Sequence, residues 1–231
     1  MSDSPRPTRV LIVGARMGGL GDHIANALRD QVGEVVKAGI GGEPVSLDVR
    51  NPTYCKQIVH NVEPTHVVCT VGVNRGMPFY DRRWGAWAQD HMEANFLGPM
   101  NLLSAFEEWL GGLPGTFVAI SSNSAHISRS NSAAYCASKA ALSMGLRCAA
   151  RDATRAGKPL SIWGYEPGAL AGTPMTNMVR GRLDKAVPMS RMLTAPEGLA
   201  TGQVARMVAR DLLDAGAVLH GTVVRLDNGD S

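Results

Sequence analysis

No stretch of the 231 residues approaches the roughly 18 consecutive apolar residues that a membrane-crossing helix needs. The first eight residues, Met1 to Thr8, are polar and contain proline, so no signal peptide is expected and this segment is expected to be disordered. Cysteine is scarce: Cys55, Cys69, Cys136 and Cys148 form no Cys-x-x-Cys pair and none stands beside a histidine at zinc-ligand spacing. Neither a metal centre nor a disulfide framework is therefore expected, and free thiols suit a reducing, cytoplasmic setting. The charge excess is slight, +3, and the basic residues are scattered instead of forming a stripe, which argues against a nucleic-acid partner. Internal repeats, low-complexity tracts and linkers are also lacking, so residues 1–231 read as one domain. At 45% hydrophobic and 19% charged, the chain can bury a sizeable core.

What is present is alternation. Short apolar runs occur at Val10–Val13, Val35–Val36, Val67–Val71, Thr116–Ile120, Leu160–Trp163 and Thr222–Leu226, with a further one at Pro44–Leu47. Stretches of helical spacing separate most of them, such as Leu20, Ile24, Ala27 and Leu28 after the first. Parallel strands need crossovers, and right-handed crossovers lead to a doubly wound α/β sheet, here of about seven strands with helices on both faces. One connection is too short for a helix: Gly39-Ile40-Gly41-Gly42-Glu43 is expected to be a loop. A helix is expected to start near Asn51-Pro52.

The first strand runs into Gly14-Ala15-Arg16-Met17-Gly18-Gly19-Leu20-Gly21 and then an amphipathic helix. Glycines there let the backbone turn tightly and approach a pyrophosphate, whose charge the helix-start N–H groups stabilise. Asp48 follows the third apolar run and has two readings: contact with an adenine amino group, or a turn or capping role.

Tyr135-Cys136-Ala137-Ser138-Lys139 opens a helix that continues through Leu146 and Ala150. Residues four apart share a face, so Tyr135 and Lys139 can point into one cleft. A nearby ammonium favours the phenolate, which makes Tyr-x-x-x-Lys a way to build a general acid/base without histidine. Ser122 and its rival Ser121 end the strand Thr116–Ser121 at the carboxyl edge, where open α/β sheets bind ligands; strand alternation allows only one of them to face the cleft. Asn95 is polar in an otherwise apolar helical stretch, and alone it reads as a kink or a buried hydrogen bond.

In this order the segments resemble the short-chain dehydrogenase/reductase superfamily in its short single-domain form, over nearly the whole chain from Val10 to Gly229. The similarity includes the glycine turn, Leu47-Asp48-Val49, Asn95-Phe96-Leu97-Gly98, Ile120-Ser121-Ser122 and the Tyr135–Ala141 motif. It extends to Pro167-Gly168 with Thr173-Pro174-Met175, and to Leu226-Asp227-Asn228-Gly229. The resemblance implies a Rossmann fold and hydride transfer between NAD(P)(H) and a carbonyl or alcohol carbon of a small molecule, with ketoreduction favoured. It implies Tyr135 as the proton donor, Lys139 lowering its pKa and holding the nicotinamide ribose, Ser122 polarising the substrate oxygen and Asn95 positioning a water. Cofactor contacts are expected from Gly14, Arg16, Met17, Gly19, Leu20, Asp48, Val49, Thr70, Val71, Gly72, Tyr135, Lys139, Pro167, Gly168 and Thr173.

The chain departs from the family pattern in places. Gly18 is an insertion in the glycine motif, and Cys69-Thr70-Val71-Gly72 replaces Asn-Asn-Ala-Gly, so that Thr70 takes over a sheet-bracing amide's task. The loop after Pro167-Gly168 is one residue longer. Ala38-Gly39-Ile40-Gly41-Gly42 holds no carboxylate to repel a 2′-phosphate, and Arg16 is placed to pair with one, so NADP is expected over NAD. Residues 173–195 are expected to cover the substrate, with Met175, Met178, Val179, Leu183, Val187, Met189 and Met192 as its apolar members. His126 reads as pocket or surface; Trp84 and Trp87 as core, interface or pocket. The family implies a homodimer or homotetramer formed through the Asn95 and Tyr135 helices, where Ala133, Ala134, Ala137, Ala140, Ala141 and Gly145 permit close approach. The alternative is a non-catalytic nucleotide-binding regulator of the same fold. An epimerase of the longer related group is disfavoured, because the chain ends at Ser231 soon after its last strand.

Overall fold

Apolar side chains alternate along each central strand, and the alternation assigns every strand to two layers at once. The computed structural model describes residues 6–40, 45–183 and 199–226, with 179–183 described by backbone alone. Its strands are β1 (Arg9–Val13), β2 (Glu34–Gly39), β3 (Val45–Ser46), β4 (His66–Cys69), β5 (Gly115–Ile120), β6 (Leu160–Pro167) and β7 (Val223–Leu226). They form one sheet in the order β3-β2-β1-β4-β5-β6-β7, every pair parallel. The helices are α1 (Leu20–Leu28), α2 (Pro52–Val62), α3 (Trp84–Met92), α4 (Gly98–Leu110), α5 (Ala133–Arg155), α6 (Pro174–Leu183), α7 (Thr201–Asp214) and the short α8 (Gly216–Leu219).

Leu11 and Val13 of β1, Phe117 and Ala119 of β5, and Leu160 and Ile162 of β6 pack with α2, α4 and α5. The interleaved Val10, Ile12, Val118, Ile120, Trp163 and Tyr165 pack with α1 and α7. Burial on both faces explains why the strands read as continuous apolar runs. The doubly wound α/β expectation, a Rossmann-type sheet of seven strands, is met.

Local signals set the element ends. Asn51 caps α2, its Oδ1 accepting Thr53 N–H at 3.0 Å, with Pro52 at the first helical position. Gly111 closes α4 in the left-handed region. β4 stops at Cys69, two residues before the expected end, because Thr70 turns off the strand toward β1. β2 runs through Gly39, and β3 pairs with it only at Ala38–Val45 and Gly39–Ser46. The expectations for Gly41–Pro44, for Met1–Pro5, for the covering segment beyond 183 and for Asp227-Asn228-Gly229 lie outside the described residues. Sequence order reverses between β1 and β4, and at such a switch point the carboxyl ends of the strands open a ligand crevice.

Candidate active site

The crevice begins where β1 meets the glycine turn. Gly14 has φ +90°, and a Cβ there would lie 2.8 Å from Val71 N and 2.9 Å from the Thr70 carbonyl carbon, so only glycine fits. Gly21 meets Thr70 Oγ1 at 2.6 Å in the same sense, which lets α1 start hard against the strand exits. Gly18 differs: its φ is +71° but a Cβ would touch nothing within 4 Å, as suits an inserted residue that widens the turn. Gly19 precedes α1, and Leu20 is buried beneath it. Arg16 and Met17 are exposed at the turn's tip, and among the described residues the Arg16 guanidinium has no side-chain partner.

One N–H of the turn is already engaged. Gly18 N donates to Asp22 Oδ2 at 3.1 Å, and Asp22 pairs with Lys37 on β2 at 3.0 Å. Burial pushes the Asp22 carboxyl up, but the Gly18 N–H and the Lys37 ammonium outweigh it and hold the group below its usual range. The sequence reading did not single out either residue.

Thr70 takes over the bracing task assigned to it: its N and Oγ1 both donate to Val13 O, at 2.7 and 3.1 Å, tying the β4 exit to β1. Asp48 shows its turn reading, accepting Arg50 N at 3.0 Å and pairing with the Arg50 guanidinium at 2.6 Å. Val49 is buried against Gly98, whose own Cβ would strike Val49 Cγ2 at 2.4 Å.

Asn95 sits in a π-turn, Glu93–Leu97, between α3 and α4, so both of its bland readings apply at once. It is fully buried, accepts Val73 N–H at 2.7 Å, and donates to Val73 O and Ser138 Oγ, each at 2.9 Å. A Cβ on Gly72 would lie 3.4 Å from Lys139 Nζ, 3.5 Å from Met175 Cε and 3.7 Å from Asn95 Oδ1, so the missing side chain leaves a space that all three border.

Strand parity separates the two serines. Ser121 shares the face of Phe117 and Ala119 and turns toward α5, donating to Lys139 O at 3.0 Å and lying 2.8 Å from Ser143 Oγ. Ser122 begins a 3-10 turn, Asn123–Ala125, accepting Ser124 N–H at 3.2 Å, and its hydroxyl lies near enough to Tyr135 to favour the phenolate there. The structure therefore joins Ser122, not Ser121, to the tyrosine.

The protonation of the pair differs from expectation. Lys139 was expected to lower the Tyr135 pKa; instead burial raises it, and Ser122 only partly offsets the rise. Lys139 is itself buried, which lowers its pKa to about 8, and its Nζ donates to Ile120 O at 2.9 Å. Desolvation of the phenolate outweighs the lowering by Ser122 and Arg129. Tyr135 also meets the buried His91 ring edge-on, with centroids 6.4 Å apart. His91 Nδ1 lies 2.6 Å from Trp87 O, and Nε2 accepts Arg75 N–H at 3.1 Å.

Glu166 is a residue the sequence reading passed over. It is 1% exposed, bound by Ser143 Oγ at 2.6 Å and by His126 Nε2 at 2.9 Å. The signal was available: Glu166 has the parity of Leu160 and Ile162, so a carboxylate had to face α5 from an otherwise apolar strand. His126, 42% exposed, combines the surface reading with a buried partner. Pro167 ends β6, Gly168 N donates to Leu226 O at 3.0 Å, and buried Thr173 accepts Thr176 N–H at 3.2 Å at the start of α6. Among the described residues no His, Cys, Asp and Glu cluster could hold a metal, all four cysteines are free, and no helix is long and apolar enough to cross a membrane.

A glycine turn at the switch point, with a buried tyrosine and lysine one helical turn apart across the crevice, defines the class of NAD(P)-dependent oxidoreductases built on this sheet. The sequence profile of the short chain dehydrogenases matches residues 8–183, and the chain belongs to that family. No curated protein matches it in sequence. Among solved structures it is similar to a short chain dehydrogenase from Burkholderia cenocepacia in complex with NADP, at 22% identity and TM-score 0.75, covering 95% of this chain and 88% of that one. It is also similar to ligand-free aldohexose dehydrogenase from Thermoplasma acidophilum, at 22% identity and TM-score 0.78, covering 95% and 92%. A short-chain dehydrogenase/reductase from Mycobacterium marinum aligns at 21% identity and TM-score 0.75, covering 96% and 94%.

Proposed function

We propose that this oxidoreductase is a ketoreductase that uses NADPH to reduce the carbonyl of a small organic substrate, with Tyr135 as the proton donor. The observation that carries the reading is the placing of Ser122 beside the buried Tyr135 at the β5 exit, with Lys139 and Asn95 around the space at Gly72. The raised Tyr135 pKa keeps the phenol protonated at neutral pH, which suits the reductive direction. Ser122 would donate to the substrate oxygen as charge develops on it, and Tyr135 would then protonate that oxygen. Lys139 would hold the nicotinamide ribose, and Asn95 would keep the Val73 strand exit and Ser138 in register behind it. The nicotinamide, when bound, supplies the hydride.

The residues present fit that cofactor. The backbone from Gly14 to Leu20 forms an anion-binding turn whose closeness to Thr70 and Val71 excludes any side chain at Gly14. Asp48 and Val49 would flank the adenine, Thr70, Val71 and Gly72 the adenosine ribose, and Pro167, Gly168 and Thr173 the nicotinamide. Arg16, lacking a partner among the described residues, and the carboxylate-free end of β2 favour a 2′-phosphate, while Lys37 is neutralised by Asp22. The four free cysteines suit a reducing compartment such as the cytoplasm. Pairing through α4 and α5 would cover exposed Leu97 and Met144. Gly145 serves another purpose, since its missing side chain seats Phe96 of the same chain. A monomer in sedimentation at micromolar concentration would count against that pairing.

The test is separate titration with NADPH and NADH followed by nucleotide fluorescence, and then a carbonyl screen. Saturable NADPH binding at least about tenfold tighter than NADH, with turnover that Tyr135→Phe abolishes, is expected. Binding without turnover of any carbonyl would instead favour a regulatory nucleotide-binding protein.

A further inference from the structure

Two loops leave the carboxyl ends of β4 and β5, where the crevice opens: 73–83 and 123–132. They touch where Met77 N donates to Asn131 O at 2.7 Å. Between them they carry Arg75, Arg82, Arg83 and Arg129 against a single acid, Asp81. Arg83 pairs with Asp81, and Arg75 with Asp90 of α3. Arg129 is different. Its Nε donates to Ser124 Oγ at 3.0 Å and its Nη2 to Asn123 Oδ1 at 3.1 Å, both neutral oxygens. No carboxylate pairs with it among the described residues.

That arrangement spends one edge of the guanidinium and leaves the other. Nε and Nη2 form the side edge, now fixed to the turn that Ser122 begins; among the described residues no partner takes the donors of the Nη1–Nη2 end. A half-buried cation with only neutral partners is an incomplete ion pair, and a planar two-donor end matches a carboxylate. Ser124 also donates its N–H to Ser122, so the guanidinium is two hydrogen bonds away from the hydroxyl that meets Tyr135. Its charge reaches the Tyr135 phenol and opposes the effect of burial there.

We propose that the carbonyl substrate of this site carries a carboxylate, bound by the free end of the Arg129 guanidinium. The inference rests on the oxidoreductase reading above. One half-buried guanidinium neutralises one charge; Arg75 and Arg83 are matched to acids and Arg82 is exposed, so a singly charged carboxylate fits better than a phosphate. Arg129 would set specificity; the proton would still come from Tyr135.

The test uses the full chain loaded with NADPH and three oxo acids of increasing spacing, 2-oxobutanoate, acetoacetate and levulinate, each beside its methyl ester. At least one acid should be reduced with kcat/KM about 30-fold or more above its ester. Arg129→Met should bring that acid-to-ester ratio to within about threefold of unity, and Arg129→Lys should fall between. The ratio is the readout because losing the Asn123 and Ser124 hydrogen bonds would slow both substrates together. Quenching of bound NADPH fluorescence by each acid gives a second readout independent of turnover. Acids that quench saturably in wild type and not in Arg129→Met, without being reduced, would uphold the carboxylate site while refuting ketoreduction. Esters reduced as well as acids, or acids whose binding ignores Arg129, would overturn the proposal and leave ketoreduction standing.

Discussion

Two tyrosines are buried on opposite faces of the sheet, and their neighbours give them opposite capacities. Tyr165 of β6 points with Trp163 toward α7, where its hydroxyl donates to Asp211 Oδ2 at 2.7 Å. Burial and that carboxylate together push its pKa far up. Tyr135 on α5 is also buried and also raised, but the polar group beside it is the Ser122 hydroxyl. A carboxylate can only accept from a phenol and so locks its proton in place. A serine hydroxyl can donate as well, and can remain bonded when the phenol gives its proton up. Burial therefore does not separate the reactive tyrosine from the structural one; the chemistry of the partner does.

The comparison breaks most readily at Tyr135. Tyr135→Phe should lower kcat/KM by about 10³-fold while NADPH affinity, read by fluorescence, changes by less than about threefold. Next comes the carboxylate behind the site. Glu166→Ala leaves Ser143 and His126 without their partner and should cost about 3 kcal/mol, lowering Tm by about 6–12 °C in a thermal melt. A Tm shift below about 2 °C would show that Glu166 is not held as described.

Lys139 offers a pH test. Its folded pKa near 8 lies below the ordinary 10.5, so between these values the unfolded chain holds the proton more tightly. The burden of burying the ammonium is complete below pH 8 and is relieved as pH rises, so the ligand-free protein should gain stability upward from pH 8. From pH 8 to 9.5 the gain should be about 2 kcal/mol by urea unfolding, and Lys139→Met should erase it. The smallest effects fall on the other tyrosine. Tyr165→Phe should cost about 1–2 kcal/mol by leaving Asp211 short of a donor, with kcat/KM within about threefold of wild type. Activity lost equally at both tyrosines would undo the distinction between them.

Much of this was legible in the chain. Two-sided burial makes the strands continuous apolar runs, and the glycine turn lies between the first strand and first helix, where a dinucleotide site must. Alternation allowed only one of Ser121 and Ser122 into the cleft but did not say which, because the answer depends on where β5 ends and the chain turns. Glu166 was hidden for a different reason: its partners stand 23 and 40 positions away, and only the fold brings them together. The direction of the Tyr135 shift escaped because spacing reports the lysine's nearness and says nothing of how much water burial removes. Arg129 escaped because one arginine in a polar loop looks solvated until its partners are known to be neutral.

The π-turn at Asn95 has a consequence for how this region tolerates change in length. A turn closed from residue i to i+5 stores one more residue than the α-helical turns on either side. Counted at 3.6 residues per turn, α3 and α4 are therefore out of phase, and a single angular ruler laid along Trp84–Leu110 slips at Asn95. Removing one residue from Glu93–Leu97 would restore the count. It would also swing α3 about the helix axis relative to α4, carrying His91 away from Tyr135 and the amide of Asn95 away from Val73. The surplus residue works as a shim, and the alignment of the crevice depends on its thickness.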